Sequence, residues 1–508
     1  MFQRIRKHLF PGLLVGTGLG LLMRAAARGA QAQHSSSNGI YAAIDAYVED
    51  QMRRLNIPGL AMAIVEGDQI VHMRGFGHAR PGGEAPTPQT PFFIGSVTKS
   101  ITALAIMQLV EADKVELDAP VKRYLPWFRV ADPEASAHIT VRHLLNHTSG
   151  LSMLQGQLVL TDMDDAPGAT ERQLRALSTV KLSHPVGTKF AYNNTNYNIL
   201  GMIIEVVSGE AYADYVQHHI FTPLGMKHSY SSKSVAQKNG LAMGYRYWFG
   251  HPFPAPNLPI PSGSLPSGQL ISCAEDMAHY LTIYLNGGRY GDVQILSSSG
   301  IEEMQRGTVE IIEMGESLGF YAMGWECQGA GRSRIVWHSG IVPDFGAVAA
   351  LVPEQKKGII LIYNANHAML KMSFDEFGLG AAQQLAGETP SKTLLAWVPW
   401  LMRGMALIPI LQAVDVIATV RRINRWRADP SSRPSRGRMW GLHILPALVA
   451  NMLVALMQIP MVSKMRNWVW LFMPDFSWIA HLCGGFAGIW AFLRTRLILK
   501  ALNKPPSF

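Results

Sequence analysis

The stretch GLAMAIVEGDQIVHMRGF, Gly59 to Phe76, decides the architecture when it is set beside RIVWHSGIVPDFGAVAALVPEQKKGIILIY, Arg334 to Tyr363. In the first, two largely apolar runs, Gly59–Val65 and Ile70–Phe76, flank the turn Glu66-Gly67-Asp68-Gln69, which is a hairpin signal. In the second, Arg334–His338, Ala347–Val352 and Gly358–Tyr363 read as three strands, the last two joined by a turn over Pro353–Lys357. The segments between carry helical patterns, among them Ser96–Ala112, Tyr197–Ser208 and Ala274–Leu285. Strands at both ends with helices between predict an α+β domain over residues 38–390. Its antiparallel sheet is built from both ends of the region, flanked by helices, with a helical region inserted. The Pro/Gly-rich stretch His251–Gly268 is expected to be a long loop that walls a site.

The chain of 508 residues is 48% hydrophobic and only 16% charged, against about 25% charged in soluble domains. The formal net charge is +9, but it is unevenly placed. Residues 391–508 carry a net +12 and residues 1–32 a net +5, so the middle of the chain is −8. An acidic body is a poor phosphate binder, which excludes nucleic acid as a partner. The three cysteines, Cys273, Cys327 and Cys483, form no CxxC pair. Cys273 and Cys327 either pair in an oxidising compartment or, as favoured here, stay as buried thiols.

The two ends read as membrane segments. Arg4, Arg6 and Lys7 precede the apolar run Leu9–Met23, and Ala30-Gln31-Ala32 offers a cleavage site. Residues 1–32 are therefore expected to be a secretory signal or an uncleaved anchor. In the C-terminal region, 394–508, three spans are expected, within Leu394–Val420, Trp440–Val462 and Leu471–Leu493. Seven arginines in Arg421–Arg438, and the basic tail after Leu493, place those segments in the cytoplasm. The expected location is the plasma membrane, multi-pass, with the 38–390 domain facing outward. Asp415 is expected to reach the interface from near a helix end.

Ser96-Val97-Thr98-Lys99 follows a break at Gly95 and opens a long apolar pattern. Positions i and i+3 share a helix face, so Lys99 can reach the Ser96 hydroxyl. A lysine desolvated among Val97, Ile101 and Leu104 has a lowered pKa and can act as a base. The second such tetrapeptide, Ser178 to Lys181, lacks the glycine break and is expected on a solvated surface. Downstream, Tyr192-Asn193-Asn194 stands at a loop–helix junction, where it can present a phenol and an amide to a cleft. Trp337-His338-Ser339-Gly340 ends a strand whose backbone N–H groups can face an oxyanion. Taken singly, each of the last two is as readily a capped helix or an ordinary strand end. His143 and His147 at i, i+4 lack the glutamate of a zincin and are expected to be structural.

The order Ser-x-x-Lys, Tyr-x-Asn, His-Ser-Gly resembles the serine β-lactamase and penicillin-binding-protein superfamily. Within it the likeness is to class C β-lactamase-related serine hydrolases, a group with D-aminopeptidase, DD-peptidase and esterase members. Val141–Leu151, Phe190–Gly209 and Pro266–Leu281 share the likeness, which covers roughly residues 40–385. The membrane tail is similar to that of a subset of the group. The resemblance implies a β-lactamase/transpeptidase-like fold, Ser96 as nucleophile, Lys99 as its activating partner and Tyr192 as general base. It implies Asn194 as a substrate amide contact, and the N–H groups of Ser96 and Ile341 as the oxyanion hole. In the third box His338 stands where lysine is commonest, followed by Ser339 and Gly340. With an unperturbed pKa of about 6.5 it is largely neutral at pH 7, which favours substrates lacking a carboxylate at that point.

The expected function is that of a membrane-anchored, extracytoplasmic serine hydrolase. It would act through an acyl-enzyme on an ester, amide, D-amino-acid peptide or β-lactam, and needs no metal or organic cofactor. Its partners are then a small-molecule or peptide substrate and membrane lipid. The competing readings are a non-catalytic sensor using the same pocket and a protein whose membrane tail is the functional part. A mere binder has no need of an activated hydroxyl, and the tail is poor in intramembrane charge.

Overall fold

The computed structural model describes residues 37–259, 261–313, 315–330, 333–391 and 397–503. The signal or anchor expected over 1–32 lies outside the described residues. The chain divides into two units, Met1–Ala43 and Ile44–Phe508. Of the first, only the opening turns of helix α1, Ser37–Leu55, are described.

The sheet joins both ends of the body, as the two quoted stretches require. Its strands are β1 Gly59–Glu66, β2 Gln69–Gly77, β3 Val309–Glu313, β4 Glu316–Tyr321, β5 Glu326–Ala330, β6 Ser333–Val342, β7 Phe345–Val352 and β8 Lys357–Tyr363. They lie in the order β2-β1-β8-β7-β6-β5-β4-β3, every neighbour antiparallel. The ends of the region meet where Leu60 pairs with Tyr363 and Glu66 with Lys357.

β1, β7 and β8 are buried almost throughout because both faces are covered. Ala61, Ala63, Ala347, Ala349, Ile360 and Ile362 join the inserted helices in one core. On the other face Tyr363 packs against Phe374 and Phe377 of the helix Lys371–Leu385, with centroids 5.1 and 6.4 Å apart. That is why these strands read as continuous apolar runs rather than as alternating ones. β3 to β5 are absent from the sequence expectation. β4, ESLGFY, is mostly exposed and contains Gly319, so it has neither an apolar run nor clean alternation.

The inserted region supplies helix α2 Thr98–Glu111, helix α3 Asn194–Ser208 and helix α4 Ala274–Leu285. His251–Gly268 is less irregular than expected, since His251–Pro254 pairs with Tyr245–Trp248 and Leu265–Gly268 is a helical turn. All three cysteines are free and buried.

Among the described residues of the C-terminal region two helices are long and apolar enough to cross a membrane, Arg436–Val462 and Pro474–Ala501. A third span exists if Val398–Met405 and Ile408–Ala428, bent by 44°, count as one. The last helix starts three residues later than expected. Met473 breaks the chain before Pro474, and Leu471 and Phe472 belong to a separate short helix, Arg466–Phe472. Gln458 bonds to the Ala480 carbonyl and Arg494 to the His443 carbonyl, so the two long helices run antiparallel. Asp415 does not stand free at the interface. It accepts from Trp490 Nε1 at 2.8 Å and pairs with Arg494 at 3.1 Å.

Candidate active site

Ser96 stands on a single 3-10 turn, Gly95–Val97, that runs into α2. It is the one residue between Pro91 and Ser100 that is not fully buried. The turn is pinned from behind, because Ile94 N donates to the Leu270 carbonyl and Leu270 N to Thr98 Oγ1. In front it lies against β6. The contact explains two glycines. Gly95 has φ +53°, and a Cβ there would strike Ile341 N. A Cβ on Gly340 would strike the Ile94 carbonyl oxygen and come within 2.9 Å of Ser96 N. The N–H groups of Ser96 and Ile341 are thus neighbours across a backbone approach that only glycines allow. β5 begins at Glu326, opposite Trp337, so β6 from His338 onward has no β5 partner and borders the cleft.

Lys99 is 0% exposed. Its Nζ lies 2.9 Å from Ser96 Oγ and donates to Asn194 Oδ1 at 2.8 Å and to the Ser267 carbonyl at 2.5 Å, which leaves the lone pair of the neutral amine for the Ser96 hydroxyl. Burial drives its pKa well below the usual lysine value. Tyr192 comes in from the loop before α3. Lys99 Nζ lies 4.9 Å above its ring, and the phenol is close to the Ser96 hydroxyl. Burial raises the phenol pKa, and the nearby Ser96 hydroxyl offsets this only in part. The phenol is therefore held protonated, while the amine beside it is pushed toward its neutral form.

Asn194 is fixed at both ends of its amide. Its Oδ1 accepts from Lys99 and its Nδ2 donates to the Gly156 carbonyl at 2.8 Å. It lines the cleft at the first turn of α3, which Asn193 caps through Thr195 N.

His338 departs from the sequence expectation in its ionisation. It is 2% exposed, and burial, followed by the nearby Lys99, lowers its pKa to about 3 rather than leaving it near 6.5. Nδ1 donates to the Ser339 carbonyl at 2.6 Å and Nε2 accepts from Tyr321 Oη at 3.3 Å, so both ring nitrogens are engaged within the protein. Ser339 and Gly340 are buried, and Ile341 is half-buried at the cleft.

Three contributors escaped sequence reading. Ser267 offers only its carbonyl, and Tyr321 lies on a strand with no sequence signal. His147, expected to be structural, packs 4.5 Å from the Tyr192 ring and 4.8 Å from that of Tyr321. Its Nδ1 accepts from Asn193 N, and burial keeps it neutral. The stretch VRHLLNHTSGL, in which it sits, was the available signal. Ser178 and Lys181 are exposed and take no part in the cleft lining. Cys273 caps α4 and burial raises its thiol pKa, which leaves it no nucleophilic role. Among the described residues no cluster of three or more His, Cys, Asp or Glu is placed to hold a metal.

A cleft opens in front of Ser96. Ser96, Asn194, Ser267 and Ile341 line its reactive end, and Leu258 and Pro259 of the long loop wall it as expected.

Comparison with known proteins agrees with this fold. The family described as Beta-lactamase matches residues 44–384. Penicillin-binding protein 4 of Amycolatopsis lactamdurans is 32% identical over 318 residues, covering 58% of this chain and 81% of that protein. Protein flp of Staphylococcus aureus strain MW2 is 28% identical over 330 residues, covering 64% of this chain and 63% of its own length. Among solved structures, the octameric penicillin-binding protein homologue from Pyrococcus abyssi superposes with a TM-score of 0.60 at 30% identity, covering 69% of this chain and 78% of that one.

Proposed function

The chain belongs to the beta-lactamase family, and from that premise we propose that it is a membrane-anchored serine hydrolase with Ser96 as nucleophile and Lys99 as base. The observation that carries the reading is the buried Lys99 amine 2.9 Å from Ser96 Oγ, its pKa lowered by burial. A neutral amine at that distance takes the hydroxyl proton as Oγ attacks a carbonyl carbon. The oxyanion that forms is met by the N–H groups of Ser96 and Ile341. The bond to the leaving group then breaks, and the leaving group takes the proton back. Tyr192, a protonated phenol beside Ser96, serves as the relay for that transfer. Water attacks the acyl-enzyme by the same route and frees the acid and Ser96.

A neutral His338 puts no cation at the third box. This supports esters and amides without a carboxylate there over β-lactams and free D-amino-acid termini. The arrangement of the helices supports an outward-facing body. Trp468, in the segment between the two long helices, donates to Gln157 of the body at 3.0 Å. The arginines of 421–438 and of 494–496 stand at the other end of those helices, the end that positive charge keeps in the cytoplasm.

The test is covalent labelling of the full-length protein with a small fluorophosphonate. Labelling is expected in the native protein and in Ser178→Ala, and absent from Ser96→Ala at unchanged Tm. Labelling that survives Ser96→Ala refutes the assignment.

A further inference from the structure

We propose that the short helix Arg466–Phe472, between the last two membrane helices, is a wall of the catalytic cleft, and that the acyl group taken up by Ser96 belongs to an amphiphile lying in the same bilayer. The proposal rests on the hydrolase reading above and adds its substrate class.

Phe472 is 2% exposed and lines the same cleft as Ser96. It is not a chance contact of a loose loop. Trp468 stacks on Phe472 with centroids 5.0 Å apart and donates its indole N–H to Gln157. One residue from Gln157, the Gly156 carbonyl holds Asn194, which holds Lys99. On the other side of Phe472, Asp475 is 0% exposed and accepts from His367 Nε2 at 2.8 Å and from Phe249 N at 2.9 Å. His367 Nδ1 accepts from Met369 N, so Nε2 carries the proton of that bond. The membrane region is therefore latched to the body on both sides of Phe472.

The cleft so completed is mainly apolar. Leu160, Met163, Leu258, Pro259 and Phe345 line it with Phe472. Lys233 and Asp344 are the charged residues of its lining, and both are engaged in the wall: Lys233 donates to the Leu258 carbonyl and Asp344 is bonded to Arg246. A polar peptide would find few partners along such a wall, whereas a hydrocarbon chain gains by leaving water. The route is short. Two residues after Phe472 the chain enters the membrane helix at Pro474, and Trp470 packs edge-on against the exposed Trp478 at its start. Tryptophans of this kind sit at the headgroup level. A chain anchored in the bilayer reaches Phe472 without crossing bulk water.

The step is the one already written: the Ser96 Oγ–acyl bond forms, the bond from acyl carbon to the amphiphile's head-bearing oxygen or nitrogen breaks, and that atom takes the proton.

The test uses the full-length protein in phosphatidylcholine vesicles and two alkyl fluorophosphonates, one methyl and one dodecyl. Rates of Ser96 labelling are measured per site, with sites counted by saturation with the methyl probe, so that misfolded protein does not enter the rate. The native protein is expected to favour the dodecyl probe, and Phe472→Ala to lower the dodecyl-to-methyl ratio about tenfold, with Phe472→Leu retaining most of it. Partition of the dodecyl probe into vesicles is common to all variants and cancels in this comparison. A ratio unchanged by Phe472→Ala overturns the proposal, as does equal reaction of both probes with the native protein. Failure of the methyl probe to label Ser96 at all is a different result, which overturns the hydrolase reading itself and this proposal with it.

Discussion

Gly340→Ala adds a single methyl group, and the structure allows its effect to be worked through. The new carbon would strike the Ile94 carbonyl oxygen and lie 2.9 Å from Ser96 N. Neither neighbour is the end of a flexible side chain. Both belong to the backbone that carries Ser96, and that backbone is tied behind by the Ile94–Leu270 bond. β6 must therefore move away from the turn by about 1 Å to relieve the overlap, at a cost of roughly 1–3 kcal/mol in stability. The same movement parts the N–H groups of Ser96 and Ile341. A displacement of about 1 Å at a reacting centre costs roughly a hundredfold, and loss of one oxyanion donor costs about 10²–10³ in kcat. Gly340→Ala is thus expected to lower the rate of fluorophosphonate labelling and of ester turnover by about two orders of magnitude, while Tm falls by only a few degrees. The assay is the second-order labelling rate at a temperature well below the variant's Tm, per folded site by circular dichroism. Labelling within about threefold of native would show that the turn and β6 do not form the oxyanion site.

Further expectations concern ionisation and the join between body and membrane region. Because burial lowers the Lys99 pKa, the neutral base grows as pH rises through a midpoint below 10.5. The labelling rate should climb with pH through that midpoint, and Lys99→Met should abolish the climb and cost about 10²–10⁴ in rate. His338, lowered to about 3, stays neutral from pH 8 to 5. The ratio of turnover on a carboxylate-bearing ester to that on a neutral ester is therefore expected to be flat over this range; a rise near pH 6.5 would contradict the burial argument. Its folded form binds fewer protons than its unfolded form between about 6.5 and 3, so its contribution to stability declines as pH falls through that window. Asp475→Ala leaves His367 Nε2–H and Phe249 N–H buried without their acceptor and should cost roughly 2–6 kcal/mol, read as a fall in Tm of the body.

Much of the body was legible from the chain alone because its signals are local. β1, β7 and β8 are apolar runs bounded by turns, and their covered faces make the runs continuous. Gly95-Ser96-x-x-Lys99 carries its own geometry, since a left-handed glycine, a short turn and an i+3 spacing bring Nζ to Oγ whatever surrounds them. Tyr192 and Asn194 were legible as the start of a helix, with their roles supplied by likeness to known hydrolases. Two kinds of feature were not legible. Backbone contributions such as the Ser267 carbonyl and the close approach of Gly95 to Ile341 have no side-chain signature. Ionisation depends on what covers a group: the same histidine has a pKa near 6.5 in water and about 3 beneath Tyr321 and Lys99. The long apolar C-terminal helices were visible by hydropathy, but the place of Phe472 was not. In the sequence it is one more apolar residue at the edge of a span. Only the fold, by breaking the helix at Met473 and burying Asp475 against His367, turns it toward the cleft of Ser96, because a contact between residues so distant in the chain is set by packing and not by any local preference.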